Sequence, residues 1–342
     1  MRTRRAVAAA SSALVIAMLT GVSVGPAGLP LWQVGEALLA HLPWHPHLAV
    51  PAIAVVIVWQ VRLPRVILGA LVGALLAGSG AAYQGVFRNP LADPYLLGVA
   101  AGGGLGATLI IVAGAPATLL PPCAFAGAVI AVAMTYLLGS GAGRDAGRTG
   151  GTAGAIVLAG VAVGTLFTAI QTYLQQQHAQ TLQAVYSWIL GGLSLASWSD
   201  VALILPYAAV AAVVLLAHRR LLDVLRVGET EAASLGVDIT RLRLTIVATA
   251  TLATAAAVAV SGLIGFVGLI VPHTVRLTAG ASYRVVLPVS MIGGAAFLVL
   301  ADVAARTVQA PAEVPIGVIT AAIGAPFFLF VLRSRRAQQD LA

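Results

Sequence analysis

Ten stretches of this chain, each about 20 residues long and nearly free of charge, leave it few folds to choose from. They run roughly over 6–25, 63–83, 91–113, 118–138, 154–174, 199–217, 242–261, 262–280, 284–304 and 314–332. A helix rises about 1.5 Å per residue, so each stretch can cross the hydrocarbon layer of a bilayer. Inside that layer backbone N–H and C=O groups must pair within the protein, and windows of this length predict helices. Composition agrees. The chain is 60% hydrophobic and 9% charged, whereas water-soluble domains run near a quarter charged. The sequence therefore predicts an all-α polytopic membrane protein, a single transmembrane domain over residues 1–342 with about ten spans. The tightest boundary is SGLIGF (261–266), between the seventh and eighth spans. Residues 48–60, LAVPAIAVVIVWQ, are apolar but short and contain Pro51. They read as an interfacial segment, with Trp44 and Trp59 suited to the head-group layer.

All 19 basic residues are arginines. Ten spans put both termini on one side, and sixteen arginines fall on that side; Arg62, Arg65 and Arg306 fall on the other. The positive-inside rule then predicts cytoplasmic termini. MRTRR followed by an apolar run also has the look of a signal peptide, but the run is long and lacks an A-x-A site, which favours a retained first span. Without lysine the chain cannot build a GxxxxGK[ST] phosphate loop, so ATP hydrolysis, where it drives the work, must belong to another polypeptide. One cysteine, Cys123, excludes an intrachain disulfide and reads as a small packing residue. HxxxHxH at His41, His45 and His47 is weak metal-ligand spacing, and no metal site or nucleic-acid partner is expected.

Against this background QGVFRNPLADPYLLG (84–98) is an interruption. Pro90 and Pro94 break the helical ladder, and Asn89 and Asp93 are placed to hydrogen-bond freed backbone groups. Small residues recur four apart at Gly69 and Gly73, Gly102 and Gly106, Gly160 and Gly164, spacing that lets helices approach closely in lipid. On the fifth span Gly160, Gly164, Thr168, Gln171 and Gln175 share one helical face. Such a stripe suits helix–helix hydrogen bonding and the lining of a polar path equally well. Asp302, four residues before Arg306, is spaced for a helical clamp. No chain of membrane-centred Asp, Glu and His offers a proton relay, and His273 reads as a packed histidine.

The longest cytoplasmic loop spans 218–243. Leu221, Leu222 and Leu225 fall on one side of a short helix. A second begins after Gly228 with Glu229 and Glu231 at its positive end, stays slim through Ala232, Ala233 and Ser234, and ends at Gly236. This pair suits insertion into a groove on a partner, or an amphipathic loop on the membrane.

RLPR (62–65), SGAAYQGVFRNPLADPYLLG (79–98), GETEAASLGVDITRLR (228–243), GFVGLIVPHTVRL (265–277) and AEVPIGVITAAIGAPFFLFVL (312–332) together resemble the permease subunits of iron-chelate, haem and vitamin B12 ABC importers, the type II importers. The likeness runs from about residue 60 to the C-terminus, with the motifs in family order. It implies a homodimer of ten-helix subunits in a bacterial cytoplasmic membrane. It also implies two ATPase subunits that hold ATP and magnesium, and a periplasmic or lipid-anchored binding protein. This chain would bind no cofactor and catalyse nothing itself. Asn89, Pro90 and Leu91 would form a cytoplasmic gate, with Gly154 of GGTAG (150–154) in a second gate element. Gly160, Gly164, Thr168, Gln171 and Gln175 would line the path. Glu229, Thr230, Glu231, Ala232, Ala233, Ser234, Leu235 and Gly236 would be the coupling helix on the ATPase. Arg62, Arg65 and Arg306 would meet acidic residues of the binding protein, where exposed charge steers a partner more than it adds affinity. The expected cargo is a ferric siderophore or cobalamin, with haem as the alternative within the family. A proton-coupled carrier and a flux-free membrane scaffold are the alternatives outside it.

Overall fold

The computed structural model describes residues 2–40, 51–145 and 151–339. Those residues form helices and turns, without a strand among them. In chain order they give α1 (Arg2–Ser23), α2 (Leu31–Leu39) and α3 (Ala52–Val56), which continues through a π-helical stretch (Ile57–Arg62) into α4 (Leu63–Val86). Then come α5 (Val99–Val112), α6 (Leu120–Asp145), α7 (Gly151–Gln177), α8 (Leu182–Ile189) and α9 (Trp198–Leu225). The chain closes with α10 (Glu229–Ser234), α11 (Ile239–Ser261), α12 (Val267–Ala279), α13 (Tyr283–Thr307) and α14 (Ile316–Gln339).

Every predicted apolar window contains a helix. Among the described residues seven helical segments are long and apolar enough to span alone, while α5, α12 and the apolar part of α14 are shorter. Their shortness has local causes. A 3₁₀ turn at Pro94–Leu97 and the left-handed Gly98 (φ 85°) precede α5, and the irregular residues 262–266, ending in Phe266 at φ 68°, precede α12.

Two expectations need correction here. Residues 52–60 are not a separate interfacial segment: Ala52–Val86 is one continuous helical span. Pro64 lacks the N–H an α-helical ladder needs, and the wider π-helical turn just before it carries the chain through. Leu221, Leu222 and Leu225 belong to the end of α9, not to a free short helix. Residues 182–189, between the fifth and sixth spans, form the short helix α8 around buried Val185. His41, His45, His47 and Trp44 lie outside the described residues.

The helices sort into an inner and an outer set. Within their most apolar windows the Ala52–Val86 segment, α11 and α13 are 78%, 72% and 67% buried, against 17–28% for α1, α6, α7 and α9. Helix α4 sits at the centre, packed on α9, α11, α12 and α13, and α5 packs on α6 and α7. Glycine makes these contacts possible. A Cβ at Gly73 would run into the Gly294 carbonyl, and one at Gly102 into the Gly127 carbonyl. Backbone thus lies against backbone, as the four-residue spacing predicts.

Candidate translocation site

At the end of α4, Arg88 takes a left-handed conformation (φ 52°) and turns the chain out of the helix. Asn89 Oδ1 accepts the Leu91 N–H at 2.9 Å, and the Asn89 carbonyl accepts the Ala92 N–H at 3.1 Å. Asp93 Oδ1 accepts the Tyr95 N–H at 2.8 Å and so caps the 3₁₀ turn. Both side chains do what their type and spacing predict. Burial pushes the Asp93 carboxyl up to about 6, against the pull of the Tyr95 N–H. The raised value means that stability from this group is present at low pH and is lost as pH rises through about 6. Tyr95 ties the turn to the α11–α12 junction: its hydroxyl donates to the Ile264 carbonyl and accepts the Ile264 N–H, both at 3.1 Å. Asn89, Pro90 and Leu91 themselves are exposed, and so is Gly154 in the first turn of α7.

Beside this turn lies a groove of about 910 Å³ between α5 and α7. From α7 it takes Gly160, Val161, Gly164, Thr165, Thr168, Ala169, Gln171, Thr172, Tyr173 and Gln176; from the turn and α5 it takes Tyr95, Leu96, Gly98, Ala100 and Ala101. Among the described residues no charged side chain lines it. The predicted stripe is only partly in the groove. Gly160, Gly164, Thr168 and Gln171 reach it, and Gln175 does not. Gly160 is packed under the Leu96 carbonyl, Gln171 is buried with its amide against Gly104 of α5, and Gln175 is buried too. The open face is rotated by about one residue, to Val161, Thr165, Thr168, Thr172 and Gln176, all exposed. Thr165 and Thr172 donate to the carbonyls four residues back, at 2.8 and 2.9 Å. Their hydroxyls are satisfied within the helix, and the groove offers weak polarity without a charged cage.

Helix α10 stands at the end of α9. Its C-terminus is a Schellman motif: Gly236 (φ 81°) donates to the Ala233 carbonyl at 2.9 Å and Val237 to that of Ala232 at 3.1 Å. Asp238 then caps α11 by accepting the Arg241 N–H. Ala232 is buried, whereas Thr230, Glu231, Ala233, Ser234, Leu235 and Gly236 form an exposed face. Glu229 differs from the rest. It accepts from Arg243 Nη2 at 2.7 Å, in a partly buried pair that fastens α10 to the first turns of α11. Fourteen residues separate the partners, so helical spacing gave no sign of the pair.

Arg62, Arg65 and Arg306 gather at the opposite end, but not as exposed docking charges: they are 3%, 6% and 2% exposed. Arg62 Nη1 donates to the Val22 and Ser23 carbonyls at 2.9 and 2.8 Å, and its Nη2 to Ala27. Arg306 Nη2 donates to the Gly21 carbonyl at 2.7 Å. Both therefore satisfy the orphan carbonyls where α1 ends, and their charge suits that helix terminus. Arg65 bridges Asp302 (2.8 Å) and Glu313 (2.7 Å). The predicted Asp302–Arg306 clamp is present at 3.4 Å, with Arg65 the closer partner of Asp302. Arg65 holds the Glu313 carboxyl below the usual carboxylate range, and Ser194 Oγ donates to the same group.

Known proteins resemble this chain along nearly its whole length. The FecCD transport family matches residues 13–334. A protein of Halobacterium salinarum named as a cobalamin import system permease is 41% identical, over 97% of this chain and 96% of its own. A Yersinia pestis protein named as a hemin transport system permease is 36% identical, over 96% and 95%. Among solved structures, one described as an inward-facing conformation of a metal-chelate type ABC transporter superposes with a TM-score of 0.83 at 29% identity, over 97% of this chain and 99% of that one.

Proposed function

The chain belongs to the FecCD transport family, and from that premise we propose how it works as the permease subunit of an ABC importer. Two copies pair in the bacterial cytoplasmic membrane, termini inward, with two ATPase subunits on the face that carries α10 and a binding protein on the opposite face. The cargo is a cobalamin or ferric siderophore delivered by that binding protein. A haem chelate is the second reading, favoured by the likeness to the Yersinia pestis relative. The observation that carries the proposal is the groove itself. A large, charge-free, threonine-lined surface on α5 and α7 lies open beside an exposed Asn-Pro-Leu turn. Such a surface lets a bulky chelate pass without trapping it, since tight uniform binding would slow its release.

In this mechanism the α7 faces of two subunits enclose the path, and Asn89, Pro90, Leu91 and Gly154 close its inner end. ATP binding on the partner subunits displaces α10, whose exposed residues 230, 231 and 233–236 meet the ATPase. Arg243 passes the displacement to α11, and Tyr95 carries it on to the turn. The binding protein docks over Arg62, Arg65 and Arg306, which shape that surface by fixing α1 and α13 from below. Neither ATP nor magnesium is held by this chain.

Two results are expected. With Cys123 replaced by alanine, Thr168→Cys is expected to form a disulfide-linked dimer on oxidation in membranes; a purely monomeric band would contradict a path between two copies of α7. Arg243→Gln is expected to lower ATP-driven uptake roughly tenfold, the scale of one charge-assisted hydrogen bond. ATPase turnover should persist, because the pair lies within this chain. Equal loss of turnover and uptake would instead show that the pair serves docking.

A further inference from the structure

Three guanidinium groups share one small cavity at the end that carries the Asn-Pro-Leu turn. Arg88, Arg226 and Arg276 line about 290 Å³ of space together with Gln84, Pro90 and Tyr283, and no carboxylate is among the lining residues. Asp223 stands beside them and is already committed. It accepts from Ser282 Oγ and from the Tyr283 N–H, both at 2.6 Å, and pairs with Arg226 at 3.6 Å and Arg284 at 3.9 Å. Asp223 thus pairs with Arg226 and Arg284, while neither Arg88 nor Arg276 has an ion pair among the described residues.

Arg276 is oriented by neutral partners. Nη1 donates to Gln84 Oε1, Nη2 to the Tyr283 hydroxyl at 3.3 Å, and the group lies 5.7 Å from the centre of the Tyr283 ring. These contacts use two of its five donors and leave its charge uncompensated. Arg88 forms no ion pair among the described residues and occupies a left-handed position (φ 52°) that would suit glycine. Arginine at a position that favours glycine, aimed at a cavity with two more arginines, marks a place where the side chain matters more than backbone ease.

We propose that this cavity binds a phosphate group. Planar guanidinium forks match phosphate oxygens in pairs, and three of them around one void supply the charge that a monoester or diester needs. Beside it Leu277, next to Arg276, presents an apolar side chain that is 69% exposed, as a residue facing lipid would. The group can therefore arrive on the head of an anionic phospholipid or as soluble phosphate. Because Pro90 forms part of the wall, an occupant would link the α4–α5 turn to the ends of α9 and α12. Binding itself does not depend on the transport mechanism above.

The test uses the permease assembled with its ATPase subunits in nanodiscs. One arm mixes phosphatidylglycerol with phosphatidylcholine and measures lipid retained on the complex by native mass spectrometry. The other uses phosphatidylcholine alone and measures inorganic phosphate binding by calorimetry. Preferential retention of phosphatidylglycerol assigns the group to lipid, and binding of inorganic phosphate assigns it to a soluble source. In either arm Arg276→Gln is expected to lower binding about tenfold, the scale of one charge-assisted hydrogen bond. Arg226→Gln, on a more exposed side chain, is expected to lower it less and guards against misfolding of the first variant. No preference between lipids with no phosphate bound, or binding unchanged in both variants, would overturn the proposal.

Discussion

Asp302→Ala is expected to destabilise the protein by about 3–5 kcal/mol, the scale of a buried ion pair stripped of one partner. Asp302 is 2% exposed, accepts from Arg65 through bonds of 2.8–3.0 Å and pairs with Arg306 at 3.4 Å. Its removal leaves two guanidinium groups facing each other in the interior, with only Glu313 to balance them. Glu313 cannot replace it, being on the rim with its side chain 28% exposed. Thermal unfolding in detergent would measure the loss. Glu313→Gln should cost less, because water can solvate what it leaves. The double change Asp302→Leu with Arg65→Met should cost less than Asp302→Ala alone, since it removes charge from both sides of the pair. A double variant weaker than the single would contradict this pairing.

Gly73→Val is expected to be nearly as severe, for a different reason. A Cβ there meets the Gly294 carbonyl, with Leu298 Cβ one turn further along α13 at 2.8 Å. Neither neighbour is the end of a flexible side chain, so α4 and α13 must separate. Both belong to the buried inner set, and the gap would run through the centre of the helix packing. Overpacking a well-filled core costs typically 1–3 kcal/mol, and about the upper end is expected where backbone is the obstacle. Gly28→Val is the control, because nothing stands within 4 Å of a Cβ at that exposed position. Folded protein recovered from membranes should fall sharply for the first and stay unchanged for the second. Equal yields would mean that the two helices are not in backbone contact.

The span pattern was legible in the sequence because crossing a membrane is a local property of length and apolarity. Each of the ten windows holds a helix, and Gly236 ends α10 as its residue type predicts. The errors share a cause: they depend on what lies across from a residue. Pro51 stands just before Ala52, where a helix can begin, and the π-helical turn at Ile57–Arg62 joins α3 to α4, so one helix runs where a short segment was expected. The partners of Arg65 lie 237 and 248 residues away, too far for spacing to find. The α7 stripe stands apart, with four of its five residues on the groove and Gln175 buried outside it. Residues 160, 164, 168, 171 and 175 and residues 161, 165, 168, 172 and 176 are both helical faces, and periodicity alone does not choose between them. The glycines do. Gly160 marks where backbones meet, under the Leu96 carbonyl, so its face lies at the packed edge of the groove and the neighbouring face from Val161 to Gln176 is the more open one.

The most direct test of import is uptake by the purified chain, reconstituted in liposomes with its ATPase subunits and binding protein. Labelled cobalamin, ferric siderophore and haem would each be offered with and without ATP. The expected result is ATP-dependent accumulation of one of these chelates. Failure of the chain to associate with any ATPase subunit, with no ATP-dependent uptake of any of the three, would contradict it.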